Sequence, residues 1–258
     1  MKDDINGPIL NFYIKRIPNE NQVGGEAMTY FSELLKTRKN FVFIGESGSG
    51  KSEIALNTAV LLRKQGKNVH VFDLDQTKAL FRARDAEGDM KELGIELHYM
   101  PQLLDTPVIV NGIVPHLKRE DSVSILDVGG NDNAARMIGC LSEYLNEGNT
   151  AAIYVINPFR PWSGNAREIR ATMETVLNAC HIERVFFVAN PTLGPDTEDS
   201  DVSSALRQLD NDFPLEEFSG VFIREDLFPY VSGEKSPEYI PLHPYLRYPW
   251  IITGKKSY

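Results

Sequence analysis

Four apolar residues, Phe41–Ile44, run directly into the octet GESGSGKS, Gly45–Ser52, and a helix-compatible run begins where the octet ends. Strand, glycine-rich loop and helix in that order leave the chain few choices. Glycines let successive backbone N–H groups turn inward around an anion with no Cβ in the way. The first turn of the following helix adds its free N–H groups and the positive end of its dipole. The octet fits G-x-x-x-x-G-K-[ST] at each fixed position, so Gly45, Glu46, Ser47, Gly48, Ser49, Gly50, Lys51 and Ser52 form the expected phosphate cradle. In that chemistry Lys51 reaches the β- and γ-phosphates and Ser52 offers its hydroxyl to Mg²⁺. The octet predicts binding of a nucleoside triphosphate with its magnesium.

The same alternation continues along the chain. Apolar runs at Phe41–Ile44, Asn68–Leu74, Ser122–Val128, Ala151–Ile156 and Arg184–Ala189 read as core strands, with Gly220–Ile223 a last, shorter one. Helical patterns over Ser52–Gln65, Ala134–Asn146 and Asn165–Cys180 separate them, Gly66 standing at the C′ position of the first. Residues 78–88 read as a short helix or loop. Strands spaced by helices of that length predict one doubly wound α/β domain: a mainly parallel sheet with helices on both faces. The division expected is an N-terminal arm over residues 1–25, a nucleotide-binding domain over 26–240 that opens with a helix near Glu26, and a Pro/Tyr-rich tail over 241–258. Pro241, Pro244 and Pro249 exclude a regular helix from that tail, which is expected to pack back on the domain.

Composition narrows the partners. A net charge of −9 disfavours sequence-independent nucleic-acid binding, which depends on clustered Lys and Arg. No apolar run approaches the ~20 residues of a membrane span. The N-terminus carries no signal-peptide pattern, and two distant cysteines suit a reducing compartment, so a cytoplasmic protein is expected. Cys140, within GCLSEYL, reads as a buried, inert thiol.

Three further carboxylates belong with the phosphate loop. Asp127 ends an apolar strand in ILDVGGND, where open parallel sheets place their ligands. There it can orient Mg²⁺ directly or through water, and Gly129 or Gly130 can offer an N–H to the γ-phosphate. Asp73 and Asp75, in VFDLDQT, follow a two-residue period and project from the same side of their strand. Two like charges there call for a cation or a positioned water between them.

From the phosphate loop through LLRKQGKNVHVFDLDQT the chain is similar to the ParA/MinD-like ATPases of the SIMIBI class, in which a strand ending in D-x-D follows the phosphate-loop helix. ILDVGGN resembles their second switch, YVINPFRPWSGNAREI their strand–Pro–helix segment, FVANPTLG the strand whose Asn reads the base, and GVFIREDLF the segment beside the nucleotide, with Arg224 where a Pro is usual. The resemblance spans roughly residues 40–235. It implies ATP as substrate and ADP as product, Asp73 polarising the attacking water with Asp75 nearby, Asp127 supporting the metal, Gly129 sensing the γ-phosphate and Asn190 contacting the base. It implies also a nucleotide-dependent homodimer and a protein partner, as in cargo partitioning or metalloenzyme maturation. One departure matters: Glu46 stands where many relatives carry a lysine that crosses the dimer interface, and Arg136 or Arg160 are the replacements to consider. The alternative on the same fold is a small-molecule kinase or a ligase/amidase, with Arg160, Arg167 and Arg170 around Pro161–Trp162 clamping an anionic substrate.

Overall fold

A computed structural model describes residues 30–75, 83–99, 112–213, 215–231 and 237–247. The arm, residues 26–29, residues 101–111 and the tail beyond residue 247 lie outside this set, so the helix start expected near Glu26 does too.

One eight-stranded, all-parallel sheet organises the chain, in the order β3-β2-β4-β1-β5-β6-β7-β8. Its strands are β1 (Asn40–Ile44), β2 (Val69–Asp73), β3 (Glu96–Tyr99), β4 (Val123–Asp127), β5 (Thr150–Ile156), β6 (Phe186–Ala189), β7 (Phe218–Arg224) and β8 (Tyr239–Leu242). The chain winds to one edge through β2 and β3, returns to β4, then runs to the other edge from β5 onward. The reversal falls beside β1, and ligands of open parallel sheets bind at such a switch point, beyond the C-terminal strand ends. The doubly wound parallel sheet expected from the sequence is the fold observed.

Alternation along the strands divides the core into two layers. Phe41 and Phe43 face one side with Val69, Val71, Val123, Ile125, Ile153 and Val155, covered by α1 (Tyr30–Thr37) and α2 (Lys51–Lys64). Val42 and Ile44 face the other with Phe72, Leu126, Tyr154 and Phe187. That side is covered by α4 (Ile113–Leu117), α5 (Asp132–Gly139), α7 (Ala166–Cys180) and α8 (Asp199–Asp212). The smaller helices are α3 (Glu87–Glu92), α6 (Ser142–Leu145) and α9 (Phe228–Val231). Central strands buried on both faces explain the near-continuous apolar runs that made them visible in the sequence.

Several details differ from the expectation. The run Ala134–Asn146 is two helices, not one: α5 ends at Gly139 and α6 starts at Ser142. Cys140 caps α5 and is exposed, while Leu141 takes the buried position; the buried cysteine is Cys180. Burial pushes the Cys180 thiol up to about 11. β7 runs for seven residues rather than four and is followed by a further edge strand, β8. The edge strand β3 and helix α8 are additional to the elements expected from the sequence.

β8 takes up Pro241 and Leu242, so the sheet crosses the point where the tail was expected to start. The chain after β8 lies against α2. His243 N–H donates to Asn57 Oδ1 at 2.8 Å, and Asn57 Nδ2 donates to the His243 carbonyl at 2.8 Å. Tyr245 and Leu246 N–H groups donate to the Glu53 carboxylate at 2.6 and 3.2 Å. Burial raises Glu53 to about 7 in spite of these two bonds. A carboxyl raised above its unfolded value binds more protons in the native state, so its contribution to stability falls as pH rises from about 4.5 through about 7. We predict that thermal unfolding of the parent loses stability relative to Glu53→Gln across that window. Parallel curves would mean that Glu53 does not titrate there.

Candidate functional site

The turn out of β1 is made by three glycines with positive φ: Gly45 at 134°, Gly48 at 76° and Gly50 at 95°. Gly50 is the N-cap of α2 and offers no side chain to the first-turn N–H groups, leaving them directed toward an anion. A Cβ at Gly50 would lie 1.9 Å from Asn190 Nδ2. The position therefore excludes any side chain on space as well as on φ. Lys51 is 1% exposed, and its ammonium donates to the Glu46 carbonyl at 2.5 Å. Ser52 is buried, and its Oγ has no hydrogen-bond partner among the described residues. A buried hydroxyl without a protein partner is costly unless a ligand completes it.

Asp127 and Asp73 sit opposite each other on neighbouring strands, β4 and β2, and both are buried. Strand parity puts them on the α2 side of the sheet, with Lys51 and Ser52. An oxygen-rich pair, Ser52 Oγ and the Asp127 carboxylate, at the end of β1 and β4 is the donor chemistry that Mg²⁺ prefers. These residues fit the ion.

Asp73 has two local tasks. Its Oδ2 accepts from Arg84 Nε at 2.7 Å and from Arg84 N–H at 3.3 Å, and its Oδ1 accepts the Asp75 N–H at 3.0 Å. Arg84 also donates through Nη2 to the Asp75 carbonyl at 3.0 Å and lies 5.3 Å from the Tyr99 ring centroid. Asp73 thus anchors the chain leaving β2. Asp75, 2% exposed, turns its carboxylate toward the second switch: Oδ1 is 3.1 Å from where a Gly129 Cβ would be.

The second switch touches the phosphate loop. A Cβ on Gly130 would lie 2.3 Å from Ser47 N and 2.5 Å from Ser47 Cα. Asn131 ends this segment by capping α5, accepting the Ala134 N–H at 2.8 Å. Two more groups brace the loop from later strands. Arg160, beyond β5, donates from Nε to the Gly48 carbonyl at 2.7 Å. Asn190, 1% exposed beyond β6, donates to the Ser49 carbonyl at 2.8 Å. The amide expected to read a base is engaged through its Nδ2 by the phosphate loop.

Glu46 points inward. It is 6% exposed, with Ser163 Oγ 3.5 Å from Oε2, and burial raises its carboxyl above the usual range against the pull of the Thr172 and Ser163 hydroxyls and Lys51. A lysine replacement that reaches a partner subunit is not available from such a side chain. The three arginines considered for an anion clamp have different surroundings. Arg160 is on the loop, Arg170 lies 5.1 Å from the Phe213 ring centroid, and Arg167 is exposed.

Arg224, the departure from a usual proline, is an organiser that the sequence did not reveal. Its guanidinium donates to the Gly194, Pro195 and Thr197 carbonyls at 2.7, 2.8 and 3.0 Å and pairs with both oxygens of Asp226. The hydrogen bonds from Arg224 hold the Asp226 carboxyl below the ordinary carboxylate range. The loop after β6 is fixed to the end of β7 by this one side chain.

Residues 41–210, about two thirds of the chain, match the CbiA family, described as the CobQ/CobB/MinD/ParA nucleotide binding domain. The chain belongs to that family. The ParA/MinD-like resemblance read from its motifs is therefore correct, and residues 41–210 are a nucleotide-binding domain. No curated protein sequence matches the chain.

Solved structures similar to it include the cell division protein FtsY of Thermotoga maritima, at 14% identity and a TM-score of 0.44 over 69% of this chain and 64% of that one. The signal recognition particle receptor FtsY of Elizabethkingia anophelis, in complex with GDP, aligns at 12% identity and a TM-score of 0.46 over 75% and 57%. The 54 kDa signal recognition particle protein of Aeropyrum pernix K1, also with GDP, aligns at 16% and 0.40 over 69% and 54%. The chain spans less than two thirds of the length of each of these structures. No described helix is long and apolar enough to cross a membrane.

Gly130→Ala forces a Cβ into the Ser47 backbone. We predict a loss of roughly 2 kcal/mol in urea unfolding together with a clear loss of nucleotide affinity. Gly148→Ala, which meets nothing within 4 Å, serves as the neutral control.

Proposed function

We propose that this chain is a Mg²⁺-dependent, ATP-hydrolysing switch, in which the nucleotide state controls dimerisation and engagement of a protein partner. The observation that carries the reading is the contact of the second switch with the phosphate loop, Gly130 against Ser47. Whatever fills the loop also sets where residues 128–130 can lie.

In the proposed mechanism the N–H groups of Gly48–Ser52 hold the triphosphate at the N-terminus of α2. The Lys51 ammonium transfers from the Glu46 carbonyl to the β- and γ-phosphates. Ser52 and Asp127 would hold Mg²⁺, which supplies charge neutralisation and orients the phosphates. Asp75 orients the attacking water from its place against Gly129, and Asp73, bound by Arg84 and the Asp75 N–H, holds the strand end beside it. The Gly129 and Gly130 N–H groups contact the γ-phosphate and release it as phosphate leaves, and the capped start of α5 carries that shift outward. Arg160 supplies in cis some of the positive charge that Glu46 cannot, from its place over Gly48. ADP is the product. Asn190 acts as a brace of the loop, with base contact left to the segment organised by Arg224.

Lys51→Ala is expected to lose tight binding of a fluorescent ATP analogue. Asp75→Asn is expected to bind it normally and to turn over ATP at least about tenfold more slowly. Equal turnover by that variant would return the water-orienting role to Asp73.

Light scattering with Mg·ADP and then with a non-hydrolysable ATP analogue tests the switch itself. A dimer with the ATP analogue alone is the expected result, and the same mass in both states would overturn nucleotide-controlled dimerisation.

A further inference from the structure

Of the five histidines in the chain, three meet at one point on the sheet face opposite the phosphate-loop helix. His70 comes from β2, His98 from β3 and His116 from α4, and one ring nitrogen of each lies within 4.8 Å of the other two. His70 Nδ1 is 3.1 Å from His98 Nε2. The Glu96 carboxylate, paired in register with His70, lies 3.3 Å from His70 Nδ1 and 3.8 Å from His98 Nε2. The His116 Nδ1 is buried and has no hydrogen-bond partner among the described residues.

We propose that His70, His98 and His116, with Glu96 as fourth ligand, form a binding site for one first-row transition-metal cation of the Zn²⁺ class. Three imidazoles and a carboxylate make the nitrogen-rich, four-coordinate set that such ions select over Mg²⁺. Tetrahedral Zn–N bonds of about 2.0–2.1 Å place ligand nitrogens about 3.3 Å apart, close to the His70–His98 separation, so a small side-chain adjustment closes the set. Glu96 is two-thirds exposed at its side chain and free to turn inward.

The site is separate from the nucleotide chemistry. His70 and Phe72 face the α4 side, whereas Asp73 and Asp127 face α2, and His70 lies about 10 Å along the strand from Asp73. A bound ion would join the edge strand β3 and the short helix α4 to β2. This inference does not depend on ATP hydrolysis.

The test is a Co²⁺ titration of the full chain in excess Mg²⁺ and ADP, read by visible absorption. The expected result is an intense four-coordinate band that saturates at one ion per chain and is displaced by Zn²⁺. His98→Ala and His116→Gln, both at partly exposed positions, should each weaken Co²⁺ at least about tenfold, while His243→Ala binds as the parent does and all three keep their affinity for Mg·ATP. Absence of the band, or equal Co²⁺ affinity in His98→Ala and His116→Gln, would reduce the cluster to stacked imidazoles, His98 lying on Phe72 at 4.6 Å.

Discussion

Two buried carboxylates at the same level of adjacent parallel strands set the terms for the centre of this molecule. Asp73 and Asp127 are register partners, both at most 1% exposed, and both turn to the side where α2 begins. Like charges withdrawn from water repel strongly unless each is compensated. For Asp73 the compensation comes from Arg84 and the Asp75 N–H, which both bind its carboxylate. For Asp127 the neighbouring helix start supplies positive potential, with Lys51 held in the turn just beside it. The contacts at the ends of β2 and β4 follow from the need to neutralise these acids.

The phosphate loop is braced from three successive strand ends. Gly130 follows β4, Arg160 follows β5 and Asn190 follows β6, and each touches a different residue of the loop: Ser47, Gly48 and Ser49. Parallel connectivity makes this possible, since every strand of such a sheet delivers its C-terminal loop to the same edge. The braces are backbone-directed, so they hold the shape of the cradle without filling it. Small displacements at one brace reach the others because packed loops offer few intermediate positions.

Much of this was visible in the residues because its causes are local. The turn into α2 announces itself through glycine spacing, the central strands through unbroken apolar runs, and α7 through Asn165, which caps it by accepting the Glu168 N–H. What stayed hidden has non-local causes. β3 reads ELHY and is only partly buried, and β8 contains Pro241, tolerated because the strand lies at a sheet edge. α8 follows a Pro- and Asp-rich run and begins with a capping box, Glu198 with Asp201, that has no Ser or Thr to advertise it. The thiol of Cys140 was misplaced because its helix stops one residue short of it, a choice made by packing Leu141 inward. The partners of Asp73, Asn190 and Arg224 lie 11, 141 and 27 to 30 residues away or are loop carbonyls, and no spacing rule points to them. Three histidines from three elements are invisible for the same reason.

The clasp between α2 and the segment after β8 joins residues 186 to 193 positions apart. Helix α2 is synthesised well before residues 243–246, so its outer polar groups, Glu53 and Asn57, meet their partners only when that later segment has been made. Non-local contacts of this span are formed late and slowly. During translation the nucleotide-binding helix therefore passes through a stage with its inner face packed and its outer face still wet. The order of synthesis makes the segment after β8 the step that seals the phosphate-loop helix.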